Sequence, residues 1–223
     1  EFYPNPEGSY FGHEFAWAGD QNENGIDDLL IVNNPGQRLD LFYGGENMGE
    51  EHDFAFLPLD EDIIRFDVFH FLGHLMPDQN HCIATKTYRR ELGLTVIDIF
   101  AGGDRLGDDP LFKTTTIHVE NTQQITSSHS RRPVDVNGDG FDDFFSMHGG
   151  GHWGRLEFFF GGEDYDTIPD SEIYYGPIQT YECSSGYDVN CDGYGDIILQ
   201  ARGVNDGREM YFHDIILGGS PMD

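Results

Sequence analysis

The stretch Asp20–Asp28, with the sequence DQNENGIDD, decides the fold of this chain because it occurs three times. Its counterparts are Asp135–Asp143, DVNGDGFDD, and Asp188–Asp196, DVNCDGYGD. In each copy the side chains at positions 1, 3 and 5 carry oxygen atoms, position 6 is glycine and position 9 is aspartate. Each copy runs into an apolar stretch. One such acidic stretch is typical of a solvated turn, but three copies in similar context indicate a site.

The spacing of these oxygen atoms predicts three calcium sites. Ca²⁺ takes carboxylate, amide and carbonyl oxygens, and the glycine permits the sharp turn that points them inward. We expect side-chain ligands at positions 1, 3, 5 and 9 and a backbone carbonyl ligand at position 7. The predicted ligands are Asp20, Asn22, Asn24, Ile26 and Asp28; Asp135, Asn137, Asp139, Phe141 and Asp143; and Asp188, Asn190, Asp192, Tyr194 and Asp196. An EF-hand is excluded, because its last ligand stands at position 12 and a helix follows it.

A second repeat marks the end of a strand in every unit. Aromatic or aliphatic residues run into a Gly-Gly pair four times, at a period of about 58 residues. The pairs are Gly44-Gly45, Gly102-Gly103, Gly161-Gly162 and Gly218-Gly219. Strand-like runs dominate each unit, and no stretch keeps a helical period. The sequence therefore predicts an all-β chain, a β-propeller of four four-stranded blades in one domain over residues 1-223, with repeats at about 1-45, 46-103, 104-162 and 163-219.

The residues around the first loop resemble a known family. Phe11-Gly12, followed by Trp17, Gly19 and the loop Asp20–Asp28, is similar to the FG-GAP repeat of the integrin α-subunit β-propeller and its bacterial relatives. The resemblance is strongest in the first, third and fourth repeats. It implies FG-GAP-type blades with calcium bound in surface loops, in extracellular proteins that serve adhesion, sugar binding or polysaccharide processing. Integrin-type propellers have seven blades, whereas this chain supplies four.

The second repeat departs from this pattern. It keeps Asp78-Gln79-Asn80, which resembles the start of a loop, and then passes directly to His81-Cys82. Read in that alignment, the second repeat lacks the glycine and the ligands at positions 5 and 9. We therefore predict no calcium in the second repeat.

The two ends of the chain leave three arrangements open. Only Ser220–Asp223 follow the last Gly-Gly pair, whereas Glu1–Gly19 precede the first loop, and together they match one connecting segment such as residues 163–187. The N-terminal segment then either closes a four-bladed ring within the chain or completes the last blade of a neighbouring chain by strand exchange, which would propagate as a fibre. In the third arrangement the chain is part of a longer array.

Charge limits the partners of this protein. There are 41 acidic and 12 basic side chains, for a formal charge of −29, so nucleic acid and anionic membranes are not expected as partners. No apolar stretch approaches the ~20 residues of a membrane helix. Extracellular modules bind calcium at about 0.1–1 mM, which favours a secreted or cell-surface protein. The numbered chain carries no signal peptide and opens at Glu1, as a processed mature protein would.

Three cysteines are too few for a disulfide scaffold. Cys183 and Cys191 lie on either side of the point where the chain enters the loop Asp188–Asp196. They are expected either to form a local bridge that staples this loop or to remain as two thiols.

The leading functional prediction is a non-catalytic, extracellular calcium-binding module for adhesion or assembly, with a protein or glycan partner. A lectin is the first alternative, and its weak candidate ligand-binding residues are Trp17, His148, His152 and Trp153. A strand-exchanged fibre subunit is the second. A polysaccharide lyase or hydrolase is less favoured, because the protein's own negative field repels acidic polysaccharides and the sequence carries no nucleophile-elbow, phosphate-loop or zinc motif.

Overall fold

The computed structural model describes most of the chain, and within it the protein is all-β. Fourteen strands form four antiparallel sheets of three or four strands, with almost no helix, which confirms the predicted fold class at this level. The described residues are 11–33, 38–46, 48–49, 51–56, 63–77, 81–89, 94–103, 112–117, 132–150, 153–166, 168–175, 178–205 and 208–219. Over these residues no helix has the length and apolar character needed to cross a membrane.

Sheets 1 and 2 each contain four strands in chain order and belong to one compact unit, Glu1–Gly73 with Gln79–His118. Sheet 1 is formed by β1 (Phe11–Gly19), β2 (Asp28–Asn33), β3 (Arg38–Phe42) and β4 (Phe54–Phe56). Sheet 2 is formed by β5 (Ile63–Gly73), β6 (Cys82–Arg89), β7 (Leu94–Phe100) and β8 (Phe112–Ile117). Within both sheets each strand pairs antiparallel with the next.

Sheets 3 and 4 belong to a second compact unit, His74–Asp78 with Val119–Asp223. Sheet 3 is formed by β9 (Phe144–Gly150), β10 (Trp153–Phe159) and β11 (Ser171–Tyr175). Sheet 4 is formed by β12 (Ile178–Tyr187), β13 (Asp196–Asn205) and β14 (Arg208–Ile216). In both sheets the central strand pairs antiparallel with its two neighbours.

Strand pairing relates the sequence repeats to the sheets. β4 follows the pair Gly44-Gly45, yet it pairs with β3, which precedes that pair. Likewise, β8 follows Gly102-Gly103 and pairs with β7, which precedes that pair. Each of these sheets therefore extends beyond the Gly-Gly pair that ends its sequence repeat. The extent of the single domain predicted over 1-223 stays a prediction.

Each unit has an apolar core to which both of its sheets contribute. In the first unit, Leu30 and Leu41 of sheet 1 cluster with Ile83 of sheet 2. In the second unit, Phe145 and Phe158 of sheet 3 cluster with residues Ile197 and Leu199 of sheet 4. Burial of one large apolar side chain contributes about 1.5–3 kcal/mol, so these clusters hold each pair of sheets together.

Within each unit, the contact between the two sheets involves one face of each sheet. Alternate side chains of a strand share a face. We call the face that carries the first side chain after a loop, such as Leu29, Ile83 or Ile197, the front face, and the opposite face, with Leu30 or Phe145, the back face. The core clusters show that the back face of sheet 1 packs on the front face of sheet 2, and that the back face of sheet 3 packs on the front face of sheet 4.

Candidate metal centres

The three acidic loops occupy equivalent places between two antiparallel segments. The residue before each loop pairs with the residue at position 9, so that each loop spans the same nine positions. These pairs are Gly19 with Asp28, Val134 with Asp143, and Tyr187 with Asp196. A shared length and a shared closing pair predict a shared backbone path.

The aspartate at position 1 accepts hydrogen bonds from the backbone of its own loop. In the first loop, the Asp20 carboxylate accepts the N–H of Asn24 at 2.9 Å and the N–H of Gly25 at 2.6 Å. In the other two loops Asp135 accepts from Gly138 and Gly140, and Asp188 accepts from Asp192 and Gly193. The carboxylate at position 1 therefore points into the turn.

Side-chain oxygens at positions 3 and 5 fold into the same turn. Asn22 Oδ1 accepts the N–H of Asn24 at 3.1 Å, and Asn24 Oδ1 accepts the N–H of Ile26 at 2.8 Å. The other loops repeat both bonds, from Asp139 to Asn137 and Phe141 to Asp139, and from Asp192 to Asn190 and Tyr194 to Asp192. Because Asn24 N–H donates to both Asp20 and Asn22, the oxygens of positions 1 and 3 converge on one point. An oxygen-only set of this kind suits a hard cation.

Backbone conformation explains the glycine at position 6. Gly25, Gly140 and Gly193 have φ of +84°, +92° and +93°, a region that side chains disfavour. Position 4 also has positive φ in every loop, at Glu23, Gly138 and Cys191, which the sequence pattern did not indicate. A side chain at position 6 would meet no described atom within 4 Å, so conformation and not space requires the glycine.

The aspartate at position 9 ties the loop to the Gly-Gly pair. Asp143 accepts the N–H of Val136 at 2.7 Å with one oxygen and the N–H of Gly161 at 2.8 Å with the other. The other loops repeat this arrangement, with Asp28 accepting from Gln21 and Gly44, and Asp196 accepting from Val189 and Gly218. Both oxygens thus hold backbone, a role that spacing alone did not reveal. Each oxygen keeps a second lone pair, so a cation ligand at this position stays a prediction.

Burial also affects the charge of these carboxylates. It raises the pKa of Asp143 to about 7; hydrogen bonds from Gly161 and Val136 oppose the rise, and the nearby carboxylates of Asp135 and Asp139 add to it. Burial raises the pKa of Asp28 as well. Buried negative charges that repel each other favour a bound cation, which would lower these pKa values again.

Close packing explains why the first residue of each Gly-Gly pair is glycine. A Cβ at Gly44 would run into the carbonyl oxygen of Asp27, and a Cβ at Gly161 would run into that of Asp142. Both carbonyls belong to position 8 of the loop in the same sheet. The glycine brings its N–H within reach of the carboxylate at position 9, so the two sequence repeats are parts of one structural device.

The loop of sheet 2 corrects one detail of the sequence alignment. Gly73 pairs with Cys82, as Gly19 pairs with Asp28, so this loop also has nine positions and runs from His74 to Cys82. Asp78 therefore falls at position 5 and not at position 1. Asp78 and Asn80 lie outside the described residues. Cys82, fully buried, stands where the other loops have aspartate. The prediction that sheet 2 binds no calcium stays a prediction.

Gln21, at position 2 of the first loop, contacts sheet 2 through its side chain. Its side chain is buried, its Nε2 donates to the carbonyls of Ala18 and His81, and its Oε1 accepts the N–H of Gly103 at 3.0 Å. Gln21 thus links the loop of sheet 1 to the loop and the Gly-Gly pair of sheet 2. Nothing in the local sequence marks this glutamine, because its partners lie 60 and 82 residues away.

Carboxylates alone do not form a metal site in the described residues. No group of three or more His, Cys, Asp or Glu side chains there is arranged to hold an ion. The predicted sites depend on asparagine oxygens and on a main-chain carbonyl in addition to aspartate. The first loop has two carboxylates among its predicted ligands, at positions 1 and 9, whereas the other two loops have three each, at positions 1, 5 and 9, which are not drawn together in the described structure.

The other described candidate residues lie on two sheets, with His148 and Trp153 on paired strands of sheet 3 and Trp17 on sheet 1. Trp17 is exposed on β1. His148 lies on β9 and Trp153 on β10, whereas His152 lies outside the described residues. Cys191 is an exposed free thiol, so the local bridge to Cys183 is not formed.

Searches with models of known protein families and among curated protein sequences found no match to this chain.

Proposed function

We propose that this chain is an extracellular calcium-binding repeat module of the FG-GAP type, whose four sheets are blades of a β-propeller. Its role is non-catalytic adhesion or assembly. One observation carries the calcium proposal: three loops far apart in sequence share the same pattern of side-chain oxygens turned toward the same backbone N–H groups. A single solvated turn can form such bonds, but the same set of inward-turned oxygens in three loops favours a shared ligand.

The role of the residues in binding follows from the loop geometry. Positions 1, 3 and 5 would hold the ion with Asp20, Asn22 and Asn24 in the first loop and their counterparts in the other two. The converging amide oxygens would coordinate the ion, and the ion would offset the negative charge of the carboxylates in the turn. It would thereby rigidify the turn that joins two strands.

Calorimetric titration with calcium tests this proposal. We expect three sites in the wild-type chain, and two in each of the variants Asp20→Ala, Asp135→Ala and Asp188→Ala. Ile168→Glu, at an exposed position away from the loops, is a control that should keep all three sites. Absence of heat and of any binding at millimolar calcium would refute the proposal.

Carbohydrate binding is a second candidate because of one exposed aromatic side chain. Trp17 shows most of its surface to solvent beside the equally exposed Phe15, and stacking of a sugar ring needs such a platform. A glycan array with wild type and Trp17→Ala, in calcium and in chelator, tests it. Glycan binding that the substitution leaves unchanged would exclude this platform.

A further inference from the structure

Successive loops in the second unit are joined by a recurrent pair of backbone hydrogen bonds. Position 8 of one loop donates to position 1 of the preceding loop, and the second glycine of the Gly-Gly pair donates to position 2. The four bonds run from Asp142 to His74 (2.8 Å), Gly195 to Asp135 (2.7 Å), Gly162 to Leu75 (2.9 Å) and Gly219 to Val136 (2.8 Å). At both junctions the earlier loop supplies the acceptors, and the later loop and the Gly-Gly pair of its sheet supply the donors.

The side chain at position 2 shows where this contact is missing. Its exposed fraction is 2% for Gln21, 0% for Leu75 and 1% for Val136, because the next loop covers each of them. The equivalent residue of the last loop, Val189, is 46% exposed. The acceptor side of the loop of sheet 4 therefore lacks the cover that the other three loops have.

The back face of sheet 4 lacks the same cover. The residue three places before the Gly-Gly pair is fully buried in sheets 1 and 3, as Leu41 and Phe158, against the front face of the following sheet. Its equivalent in sheet 4 is Ile215, which is 51% exposed. Tyr187, directly before the last loop, is exposed as well.

The front face of sheet 1 exposes the side chains that in sheet 2 pack on the preceding sheet. In the first unit the ring of Phe71, on the front face of sheet 2, lies against Gly19 of sheet 1, where even a Cβ would collide with it. The equivalent of Phe71 in sheet 1 is Trp17, which is 58% exposed. Tyr187 is the equivalent of Gly19 in sheet 4.

The side chain at position 7 is packed in the loops of sheets 3 and 4 but exposed in the loop of sheet 1. Phe141 packs on His74 of the preceding loop, with ring centroids 5.0 Å apart, and the ring of Tyr194 lies against Gly138. Ile26, at position 7 of the first loop, is 47% exposed. It therefore offers an apolar side chain that is not packed as Phe141 and Tyr194 are.

The unused backbone groups beside sheet 1 and sheet 4 are complementary. By the repeat, the N–H groups of Asp27 and Gly45 are donors, and the carbonyls of Asp188 and Val189 are acceptors. None of these four groups is hydrogen-bonded to another described residue. A repeat array normally closes its ends with polar caps. Here both ends present apolar side chains and unused backbone groups.

We propose that the front surface of one chain binds the back surface of a second copy. The front surface comprises Phe15, Trp17, Ile26, Asp27 and Gly45, and the back surface comprises Tyr187, Asp188, Val189 and Ile215. The contact packs Trp17 over Tyr187 and Ile26 against the last loop, and it places two donors opposite two acceptors. Because the two surfaces differ, the association is head to tail and produces rings or filaments.

The partner in the proposed assembly role is thus a second copy of this chain, and this inference rests on that role. It does not need a bound ion, since the bonds from Asp142 and Gly162 end on His74 and Leu75, whose loop has no aspartate at position 1 or 9. Mass and calcium stoichiometry therefore test the two proposals separately.

The experiment measures solution mass by light scattering at physiological salt, in millimolar calcium and again in chelator. A front variant carries Trp17→Glu and Ile26→Glu, and a back variant carries Val189→Glu and Ile215→Glu. All four positions are exposed, so circular dichroism should show wild-type folding, and Ile168→Glu is a control at an equally exposed apolar position. We expect wild type and control to exceed twice the 25.2 kDa of one chain, and each variant alone to be monomeric.

Mixing the two variants gives the decisive result. One intact front surface and one intact back surface remain in the mixture, so a 1:1 dimer and nothing larger is expected. A wild-type chain that stays monomeric at sub-millimolar concentration would overturn the inference, even if it bound three calcium ions. Failure of the mixed variants to form a dimer would overturn it as well.

Discussion

Asp143 accepts the backbone N–H of Gly161 at 2.8 Å, across eighteen residues, and so joins an acidic loop to the end of a strand in the same sheet. The same bond joins Asp28 to Gly44 and Asp196 to Gly218. Three identical links between two short motifs mean that the motifs act as one unit. The carboxylate at position 9 is therefore structural, whether or not it also binds a cation.

Replacing this carboxylate should destabilise the protein without metal. In chelator, Asp143→Ala leaves the buried N–H groups of Val136 and Gly161 without acceptors, at a cost of about 2–4 kcal/mol. Asp139→Ala changes an exposed side chain of the same loop and should cost about 0.5 kcal/mol or less. Urea unfolding in chelator measures both. Equal stability of the two variants would show that Asp143 has no structural role.

Space should make Gly161 irreplaceable. In Gly161→Ala the added methyl group meets the carbonyls of Asp142 and Leu75, which belong to main chain and cannot turn aside. We expect a loss of about 1–3 kcal/mol in unfolding free energy. Gly219→Ala is the matched control, because its Cβ would meet no described atom within 4 Å. Comparable losses in both variants would contradict the packing argument.

Gln21 should matter more than a surface loop residue. In Gln21→Leu a side chain of similar size keeps the apolar contacts but leaves the Gly103 N–H and the His81 carbonyl unpaired, which costs about 1–3 kcal/mol. Gln21→Glu retains the acceptor for Gly103 but sets a buried carboxylate against the carbonyls of Ala18 and His81. Because an unpaired buried charge costs more than a lost neutral hydrogen bond, denaturant melts near neutral pH should find this variant less stable than the leucine variant. A leucine variant as stable as wild type would mean that these groups find other partners.

Removing calcium should lower the melting temperature. At free calcium ten times Kd, each filled site adds about 1.4 kcal/mol, which for a chain of this length corresponds to about 2–4 °C per kcal/mol. Scanning calorimetry in millimolar calcium and in chelator should therefore differ by several degrees. Magnesium at the same concentration is the control, since its octahedral preference suits these loops poorly. Identical melts in calcium and chelator would contradict filled sites.

Local patterns in the sequence predicted much of this structure. Nine-residue spacing, Gly-Gly pairs and β-branched runs are short-range signals, and the all-β sheets and the positive φ of Gly140 follow from them. The Asp78-Gln79-Asn80 stretch misled the alignment of the second loop, because local chemistry resembled a loop start while strand pairing put His74 there. The roles of Gln21 and of both oxygens of Asp143 depend on partners that only the folded chain brings near.

The hydrogen bonds between successive loops connect main chain to main chain, from Asp142 to His74 and from Gly162 to Leu75. Amino-acid substitution removes such bonds only through proline or through a change of backbone path. The loop His74–Cys82 has exchanged nearly every acidic residue and still contributes both acceptors. Repeats of this design can thus change their loop chemistry one by one while their place in the array is preserved. The side chains of the loops can therefore vary without loss of the backbone bonds that hold successive loops together.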